Sequence, residues 1–166
     1  MNAVMQETIF REAVDADLSG IVGLLRDDAL GVTRNPAMDV ATSAYAAAWA
    51  HIQADQNNGY VVAECGGRLI GCYQLTFIRG LSHTGGLRAQ IESVRVASDL
   101  RGCGLGSQMM RDAIARATSR GAFLVQLTTD MRREQTRRFY ERLGFSASHT
   151  GMKLFLPQNE RTPGLR

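Results

Sequence analysis

Hydrophobic and polar positions along the first third of the chain predict a strand followed by two helices. Residues 8–14 alternate as a half-buried strand does, and residues 15–25 place leucine, isoleucine and valine at helical spacing. Asp15 or Asp17 is suited to cap this first helix. The pair Asn35-Pro36 is typical of a helix start, so a second helix is predicted from there through residue 56.

The rest of the chain predicts further strands and helices of ordinary length. A Gly-Gly pair between two apolar runs predicts a β-hairpin, and a glycine-rich turn precedes a helical pattern that ends near Arg120. The segments predicted after the second helix are strands at 59–65, 68–78 and 88–98, the helix that follows the glycine turn, a strand at 122–129, a helix at 134–144, and a hairpin formed by 145–149 and 152–156.

This order of elements predicts a mixed α/β (α+β) fold. Antiparallel strands joined to one strand-helix-strand crossover form a mostly antiparallel sheet with helices on its faces. A doubly wound nucleotide fold would instead alternate strands and helices throughout. We expect one domain over residues 1–156, with six to seven strands and about four helices, followed by a polar, frayed tail at 157–166.

Composition narrows the class of protein. With 166 residues, of which 45% are hydrophobic and 21% charged, the chain is typical of a globular protein with one core. It begins without a basic region and apolar run, and no segment has the length of a membrane span, so we expect a cytoplasmic protein with no membrane partner. Cys65, Cys72 and Cys103 lack paired spacing, which predicts reduced thiols and no metal site.

Charge is unevenly distributed along the chain. The net charge is +3, yet residues 101–142 contain nine arginines and four acidic residues. This local excess suits an anionic ligand, and a solvated helix face is the alternative interpretation. Nucleic acid is not an expected partner, because the net charge is small and no platform of alternating aromatic and basic residues is present.

The glycine-rich turn is the first candidate binding site. Leu100 to Met110 read LRGCGLGSQMM, so three glycines lead into a helix. Unpaired N–H groups and the positive end of the helix dipole attract anions at such a position. A Walker loop is excluded because no Gly-Lys-Ser/Thr follows, and a dinucleotide fingerprint lacks its third glycine and its acidic residue. A structural turn without a ligand stays open on the glycines alone.

The neighbours of this turn extend the pattern. Arg101-x-x-Gly104-x-Gly106, preceded by IESVRV and followed by RRFYERLGF, resembles the acetyl-CoA-binding core of the GNAT family of N-acetyltransferases, over about residues 89–156. The resemblance implies a GNAT-like sheet whose fourth strand splays from the fifth at a bulge, and acetyl-CoA as cosubstrate without a metal. It implies that the backbone of Val94, Arg95 and Val96 bonds the pantetheine arm. Backbone amides hold the pyrophosphate in such proteins, here those of Arg101, Gly102, Cys103, Gly104, Leu105, Gly106 and Ser107.

Tyr140 and Glu92 are the candidate catalytic residues. Tyr140 matches the family tyrosine beside the CoA sulfur, and a phenol with a pKa of about 10 is able to protonate a departing thiolate. A core aromatic beside Phe139 is the alternative. Glu92 lies two residues before Val94 and is expected on the same strand face, as base or substrate anchor for the amine. A structural hydrogen-bond acceptor is the alternative for Glu92.

Two positions depart from the family pattern, and the acceptor cleft is less defined. Arg133 and Thr136 stand where the family often has asparagine and alanine, and arginine cannot accept a hydrogen bond. Arg133 and Arg138 would meet CoA phosphates or an acidic acceptor, or be solvated. Tyr45 and Trp49 share one face of the second helix, where core packing is favoured over substrate stacking.

The sequence thus predicts an N-acetyltransferase that moves an acetyl group from acetyl-CoA to a primary amine by direct attack in a ternary complex. The acceptor is a small molecule or a peptide, and a homodimer is a family-level expectation. A non-catalytic acyl-CoA sensor or regulatory module is the alternative, since Arg133 replaces the family asparagine.

Overall fold

The computed structural model describes residues 7–27 and 44–156. The predicted start of the second helix at Asn35-Pro36 and the predicted tail at 157–166 lie outside these residues. The described strands are β1 (Ile9–Glu12), β2 (Asn58–Cys65), β3 (Arg68–Arg79), β4 (Leu87–Val96) and β5 (Leu124–Leu127). The described helices are α1 (Leu18–Arg26), α2 (Ala44–Ala54), α3 (Leu105–Ser119) and α4 (Glu134–Arg142), with a 3₁₀ turn at Asp15–Asp17, another at Ser98–Leu100 and a partly left-handed turn at Ser82–Gly85.

The five strands form one sheet in the order β1-β2-β3-β4-β5. Neighbouring strands are antiparallel except β4 and β5, which are parallel and are joined through α3. Gly66 and Gly67 both have positive φ, 56° and 78°, as a two-residue hairpin turn between β2 and β3 requires. The mixed, mostly antiparallel α/β fold is therefore confirmed.

Helices cover both faces of the sheet. On one face α3 packs Leu105, Met109 and Ala113 against Tyr73 and Leu75 of β3, and all five side chains are at most 5% exposed. Full burial of an apolar side chain of this size contributes about 1.5–3 kcal/mol. On the other face α1 and α2 bury Ile21, Leu24 and Trp49 against Val62 and Cys72. The period of these apolar positions follows the patterns seen in the sequence.

A buried polar group connects α3 to the sheet. The Tyr73 hydroxyl donates a hydrogen bond to the Asp112 carboxylate, which also accepts one from Arg116 Nε at 2.7 Å. Burial, followed by the bond to Asp112, raises the pKa of Tyr73 well above its usual range. The hydroxyl therefore stays protonated and serves as a donor within the core.

Arg11 and Asp17 join β1 to the turn before α1. The Arg11 guanidinium binds Asp17 at 2.6 Å and Glu64 at 2.7 Å, and the hydrogen bond from Arg11 lowers the pKa of Asp17 below its ordinary value. Asp17 also accepts the Val14 N–H, whereas Asp15 accepts the Trp49 indole N–H at 2.9 Å. Asp17 is the N-cap residue of α1, as predicted, but its carboxylate makes no capping hydrogen bond to that helix, because Arg11 and the Val14 N–H occupy it.

The predicted last hairpin does not form. Residues 146–156 contain no strand, so the sheet has five strands among the described residues instead of six to seven. Met152, Leu154 and Phe155 are 93%, 85% and 74% exposed, and their apolar pattern finds no ladder partner along the described chain. Alternation predicts a strand only where a neighbouring strand supplies hydrogen bonds. Within the two described ranges, no helix has the length and apolarity to cross a bilayer.

Candidate active site

A β-bulge in β4 opens the sheet between β4 and β5. Glu92 lies opposite Gln74 of β3 and Arg95 lies opposite Cys72, so Ser93 and Val94 together face the one residue between them. Ser93 has a φ of 53°, in the left-handed region. Such a bulge bends its strand. On its other side β4 pairs with β5 from Arg88 to Ile91 and no further. Among the described residues, the part of β4 after Ile91 therefore has no strand beside it on that side.

The bulge also changes which side chains share a face. Glu92 and Arg95 both project toward the side that holds Cys72 and helices α1 and α2. Val94 instead packs with the core on the α3 side. The expectation that Glu92 and Val94 share a strand face is therefore wrong, because the extra residue reverses the alternation after Ser93.

The glycine turn leaves backbone N–H groups free at the start of α3. Gly102 and Gly104 have φ of 80° and 91°, a conformation that glycine adopts without strain, and Leu105 behind them is buried. Within the described part of the chain, backbone carbonyls accept the N–H groups of Arg101, Cys103 and Ser107. None accepts those of Gly102, Gly104, Leu105 and Gly106. These four amides at the positive end of the helix dipole suit an anion.

The Arg101 side chain points away from this set of amides. Its Nε donates to the Val96 carbonyl at 3.2 Å, and its guanidinium pairs with the Asp27 carboxylate at 3.5 Å. Asp27 also accepts the Ser98 N–H at 2.7 Å. Arg101 therefore fixes the turn to β4 and to the end of α1. Sequence reasoning missed this contact, because Asp27 and Arg101 are 74 positions apart.

Helix α4 brings Tyr140 to the same place. The Tyr140 ring contacts Phe139 and Phe145 edge-on, at centroid distances of 5.1 and 5.8 Å. A Cβ at Gly106 would lie 3.5 Å from the Phe139 ring and 3.9 Å from Val96. The glycine turn, the end of β4 and helix α4 therefore meet at one end of the sheet, beside the open edge.

Tyr140 is suited to donate a proton. Burial raises its pKa above the ordinary value, and the charges of Arg95 and Arg133 oppose this shift. Its hydroxyl has no hydrogen-bond partner among the residues that the structure describes. The phenol therefore stays protonated at neutral pH and is available to a ligand.

Glu92 lies on the other side of the bulge among polar residues. Its side chain is exposed. Tyr60 lies nearby, and burial raises the pKa of Tyr60, while a hydrogen bond to Ser93 and the charge of Arg95 lower it. The Glu92 charge also contributes to raising this pKa. Sequence reasoning missed Tyr60, because it lies opposite Gln74, the ladder partner of Glu92, on a strand distant in sequence. It missed the Arg95 side chain because Arg95 shares a face with Glu92 only through the bulge.

Other candidates have structural partners. Trp49 is buried, and its ring lies 6.2 Å from that of Tyr60, so core packing is confirmed for it. Tyr45 is half-buried on the same helix. Arg138 binds Glu134 at 2.7 Å, whereas Arg133 is the N-cap residue before α4, is half-buried and acts electrostatically on Tyr140. Across residues 7–27 and 44–156, no cluster of three or more His, Cys, Asp or Glu side chains forms a metal site.

A glycine-rich turn with unpaired amides, the open edge of β4 and a half-buried tyrosine meet at one end of the sheet among the described residues, and comparison with known proteins gives the family. The model of the acetyltransferase (GNAT) family matches residues 25–145. The chain therefore belongs to the GNAT family, and the family and the fold predicted from its sequence are confirmed.

The two curated relatives match only part of the chain, at moderate identity. The chain is 33% identical over 95 residues to the aminoalkylphosphonate N-acetyltransferase of Salmonella typhimurium, over 57% of this chain and 61% of that protein. It is 33% identical over 90 residues to the glucosamine 6-phosphate N-acetyltransferase of Trypanosoma brucei brucei, over 54% and 59%. The chain thus spans about 60% of the length of these curated relatives.

A solved structure matches more of the chain. The crystal structure of a transcriptional regulator from Bacillus halodurans C-125 is 44% identical, with a TM-score of 0.86, and covers 90% of this chain and 99% of its own. The similarity therefore extends over nearly the whole fold.

Proposed function

We propose that this protein transfers the acetyl group of acetyl-CoA to a primary amine by direct attack. The observation that carries the proposal is the meeting of three features at one end of the sheet. Among the described residues, these are the glycine-turn amides that no backbone carbonyl accepts, the edge of β4 that no strand pairs, and the Tyr140 hydroxyl that has no hydrogen-bond partner. Each matches one part of a thioester donor: its pyrophosphate, its pantetheine arm and its sulfur.

The residues of the turn and of β4 fit coenzyme A. The N–H groups of Gly102, Gly104, Leu105 and Gly106 would bind the pyrophosphate, and open space surrounds the Cβ position of Gly102, so a ligand is able to approach the backbone. The backbone of Val94–Val96 would bond the pantetheine arm as a neighbouring strand does. When bound, acetyl-CoA supplies an acetyl group activated as a thioester.

Tyr140 and Glu92 would divide the proton transfers. The amine nitrogen forms a bond to the acetyl carbon, and the bond from that carbon to sulfur breaks. Tyr140 donates its proton to the leaving thiolate, because burial raises its pKa and the phenol is therefore protonated at neutral pH when the thiolate forms. Glu92, exposed on the α1 and α2 side, accepts the amine proton directly or through water, or anchors the ammonium before it is deprotonated.

A small-molecule amine is the proposed acceptor. The two curated relatives are named for aminoalkylphosphonate and for glucosamine 6-phosphate, both small molecules. The free thiols of Cys65, Cys72 and Cys103 favour a reducing compartment, and we propose that the protein is cytoplasmic.

A sensor that binds acetyl-CoA without transferring its acetyl group is the second candidate. The relative described as a transcriptional regulator, at 44% identity, favours it. The combination of Tyr140 and Glu92 favours the enzyme, because a sensor has no need for a proton donor at the sulfur.

Calorimetry and a thiol-release assay test both candidates. Titration of acetyl-CoA into the protein should give binding, and addition of a panel of primary amines should release CoA thiol at the rate at which N-acetylated product forms. Binding without amine-dependent thiol release would favour the sensor. Absence of binding at millimolar acetyl-CoA would overturn both candidates.

A further inference from the structure

Arg95 has no acidic partner among the described residues, whereas seven other arginines bind a carboxylate. Arg11, Arg68 and Arg116 each bind a carboxylate at distances of 2.6 to 2.8 Å. Arg95 is half-buried, and in the described part of the chain no carboxylate lies within 4.0 Å of it. A half-buried cation without a counter-charge is costly, so such a group is a candidate for binding an anion from outside the chain.

The donors of Arg95 are largely unused. Its Nη1 bonds the Val94 carbonyl at 2.9 Å, and its Nε is buried without a hydrogen-bond partner. A guanidinium has five N–H donors in a rigid planar arrangement that matches two oxygens of a phosphonate, phosphate or carboxylate. The contact with Val94 holds the side chain at the bulge while most of its donors stay available.

The position of Arg95 places it near the proposed site of the amine acceptor as well as near that of acetyl-CoA. Arg95 and Glu92 project to the same face of β4, two ladder positions apart, which is roughly 7 Å along a strand. The Arg95 charge lowers the pKa of both Tyr140 and Tyr60, so the guanidinium lies within electrostatic range of the proposed proton donor and of a polar residue near Glu92. The Glu92 carboxylate, which suits an ammonium group, and the Arg95 guanidinium, which suits an anion, thus lie on the same face of β4.

We propose that the acceptor is a short amine that carries an acidic group, with its anion bound by the Arg95 guanidinium and its nitrogen directed to Glu92. This inference rests on the proposed acetyl transfer and names the substrate class. The short spacing of roughly 7 Å between the two positions along β4 favours acceptors with two or three carbons between nitrogen and the acidic group. Arg95 is then a specificity-determining residue of the site.

Arg88 offers a matched control on the same strand. It lies on the same face as Glu92, four positions earlier, or roughly 13 Å along the strand. It is also half-buried with an Nε that has no partner. The two arginines share residue type, strand and face and differ in distance from Glu92.

The test compares acceptors that differ only in the group beyond the amine. The ratio of kcat/KM for 2-aminoethylphosphonate to that for ethanolamine should exceed one for the unmodified protein, with β-alanine also preferred over ethanolamine. Arg95→Gln should lower this ratio about 10- to 100-fold, the size expected for a charge-assisted hydrogen-bonded pair. Arg95→Lys should restore part of it, and Arg88→Gln should leave it unchanged.

Direct binding separates this inference from the proposed transfer. Calorimetry would measure 2-aminoethylphosphonate binding to the protein saturated with CoA, for the unmodified protein and for Arg95→Gln. Arginine-dependent binding without turnover would support the anion site and overturn the transfer. Turnover of amines with no preference for the anionic ones, or an equal loss for all amines in Arg95→Gln, would overturn the anion site and keep the transfer. Neither binding nor turnover would overturn both.

Discussion

The β2–β3 hairpin and the β4–β5 pair belong to one sheet but differ in how completely their strands are paired. The hairpin pairs eight residues of β2 with β3, from Asn58 to Cys65, and closes with a tight glycine turn. The β4–β5 pair includes only four residues of each strand before the bulge at Ser93. Complete pairing satisfies the backbone within the fold, whereas incomplete pairing leaves backbone groups for a ligand. Substitutions near the β4–β5 pair should therefore change catalysis or acetyl-CoA binding, whereas a substitution in the β2–β3 hairpin should change stability.

Removal of the Tyr140 hydroxyl should lower activity more than the other changes. This hydroxyl lies beside the partly paired β4–β5 strands. Tyr140→Phe keeps the ring that packs on Phe139 and Phe145, but removes the proposed donor to the thiolate. We expect kcat to fall about 100-fold or more, the usual size for general acid catalysis. Steady-state thiol release with saturating amine measures it, and calorimetry should give an acetyl-CoA affinity within about twofold of the original. A kcat that stays the same would remove Tyr140 from the mechanism.

A side chain at the glycine turn should weaken acetyl-CoA binding. Gly104 has a φ of 91°, so Gly104→Ala adds strain of about 1–2 kcal/mol that the turn relieves by changing shape. The free amides then move apart, and we expect the dissociation constant for acetyl-CoA to rise roughly 5- to 30-fold, as measured by calorimetry.

Gly106→Ala provides the matched control in the same turn. A Cβ at Gly106 would make ordinary van der Waals contact with Phe139 at 3.5 Å, and this glycine does not have positive φ. The dissociation constant should change by about twofold or less. An equal loss of affinity in the two variants would show that bulk, and not backbone conformation, limits binding.

Removal of the Tyr73 hydroxyl should affect stability and leave kcat unchanged. Tyr73→Phe is the same chemical change as in Tyr140→Phe, made in the closed hairpin, where the hydroxyl donates to Asp112. Asp112 keeps its bond to Arg116, so we expect the free energy of unfolding to fall by about 1 kcal/mol. Urea unfolding measures this change. A large loss of kcat in the folded variant would contradict the division between the two regions.

The contact between Arg101 and Asp27 should have the smallest effect. Both side chains are partly exposed, at 46% and 35%, and their closest charged atoms are 3.5 Å apart. Arg101→Ala should raise the dissociation constant for acetyl-CoA about threefold or less, because backbone amides and not this guanidinium face the proposed pyrophosphate site. Arg101→Ala combined with Asp27→Ala should cost less than the sum of the two single changes. A loss above tenfold in Arg101→Ala would indicate direct contact with the ligand.

The sequence pattern predicted correctly those strands and helices in which apolar residues repeat at regular spacing along the whole element. The strands of the Gly66-Gly67 hairpin and helix α3 follow from alternation and from a helical apolar face, and the structure matches both. The hairpin predicted after Phe145 failed, because apolar alternation in residues 152–156 does not state whether a partner strand is present. Strand propensity is local, whereas a ladder needs a second strand.

The candidate site was predictable where its residues act through local conformation. Gly102 and Gly104 have the positive φ that a glycine-rich turn predicts, and Leu105 anchors the helix behind them. The side-chain roles at the site depend on long-range geometry. Glu92 and Arg95 share a face only because β4 contains an extra residue, and Ser93 carries no sequence signal for left-handed backbone.

The bulge at Ser93 acts as a phase shift in the numbering of β4. Even steps from Glu92 lead back to Gln90 and Arg88 on one face, but forward of Ser93 the same face continues at an odd step, with Arg95. Deletion of Ser93 would remove the bulge and leave Val94 alone opposite Tyr73, so Arg95 would stay on the face of Glu92 while β4 would lose the bend beside its open edge. The one extra residue thus bends β4 and keeps Glu92 and Arg95 on one face although three positions separate them in the sequence.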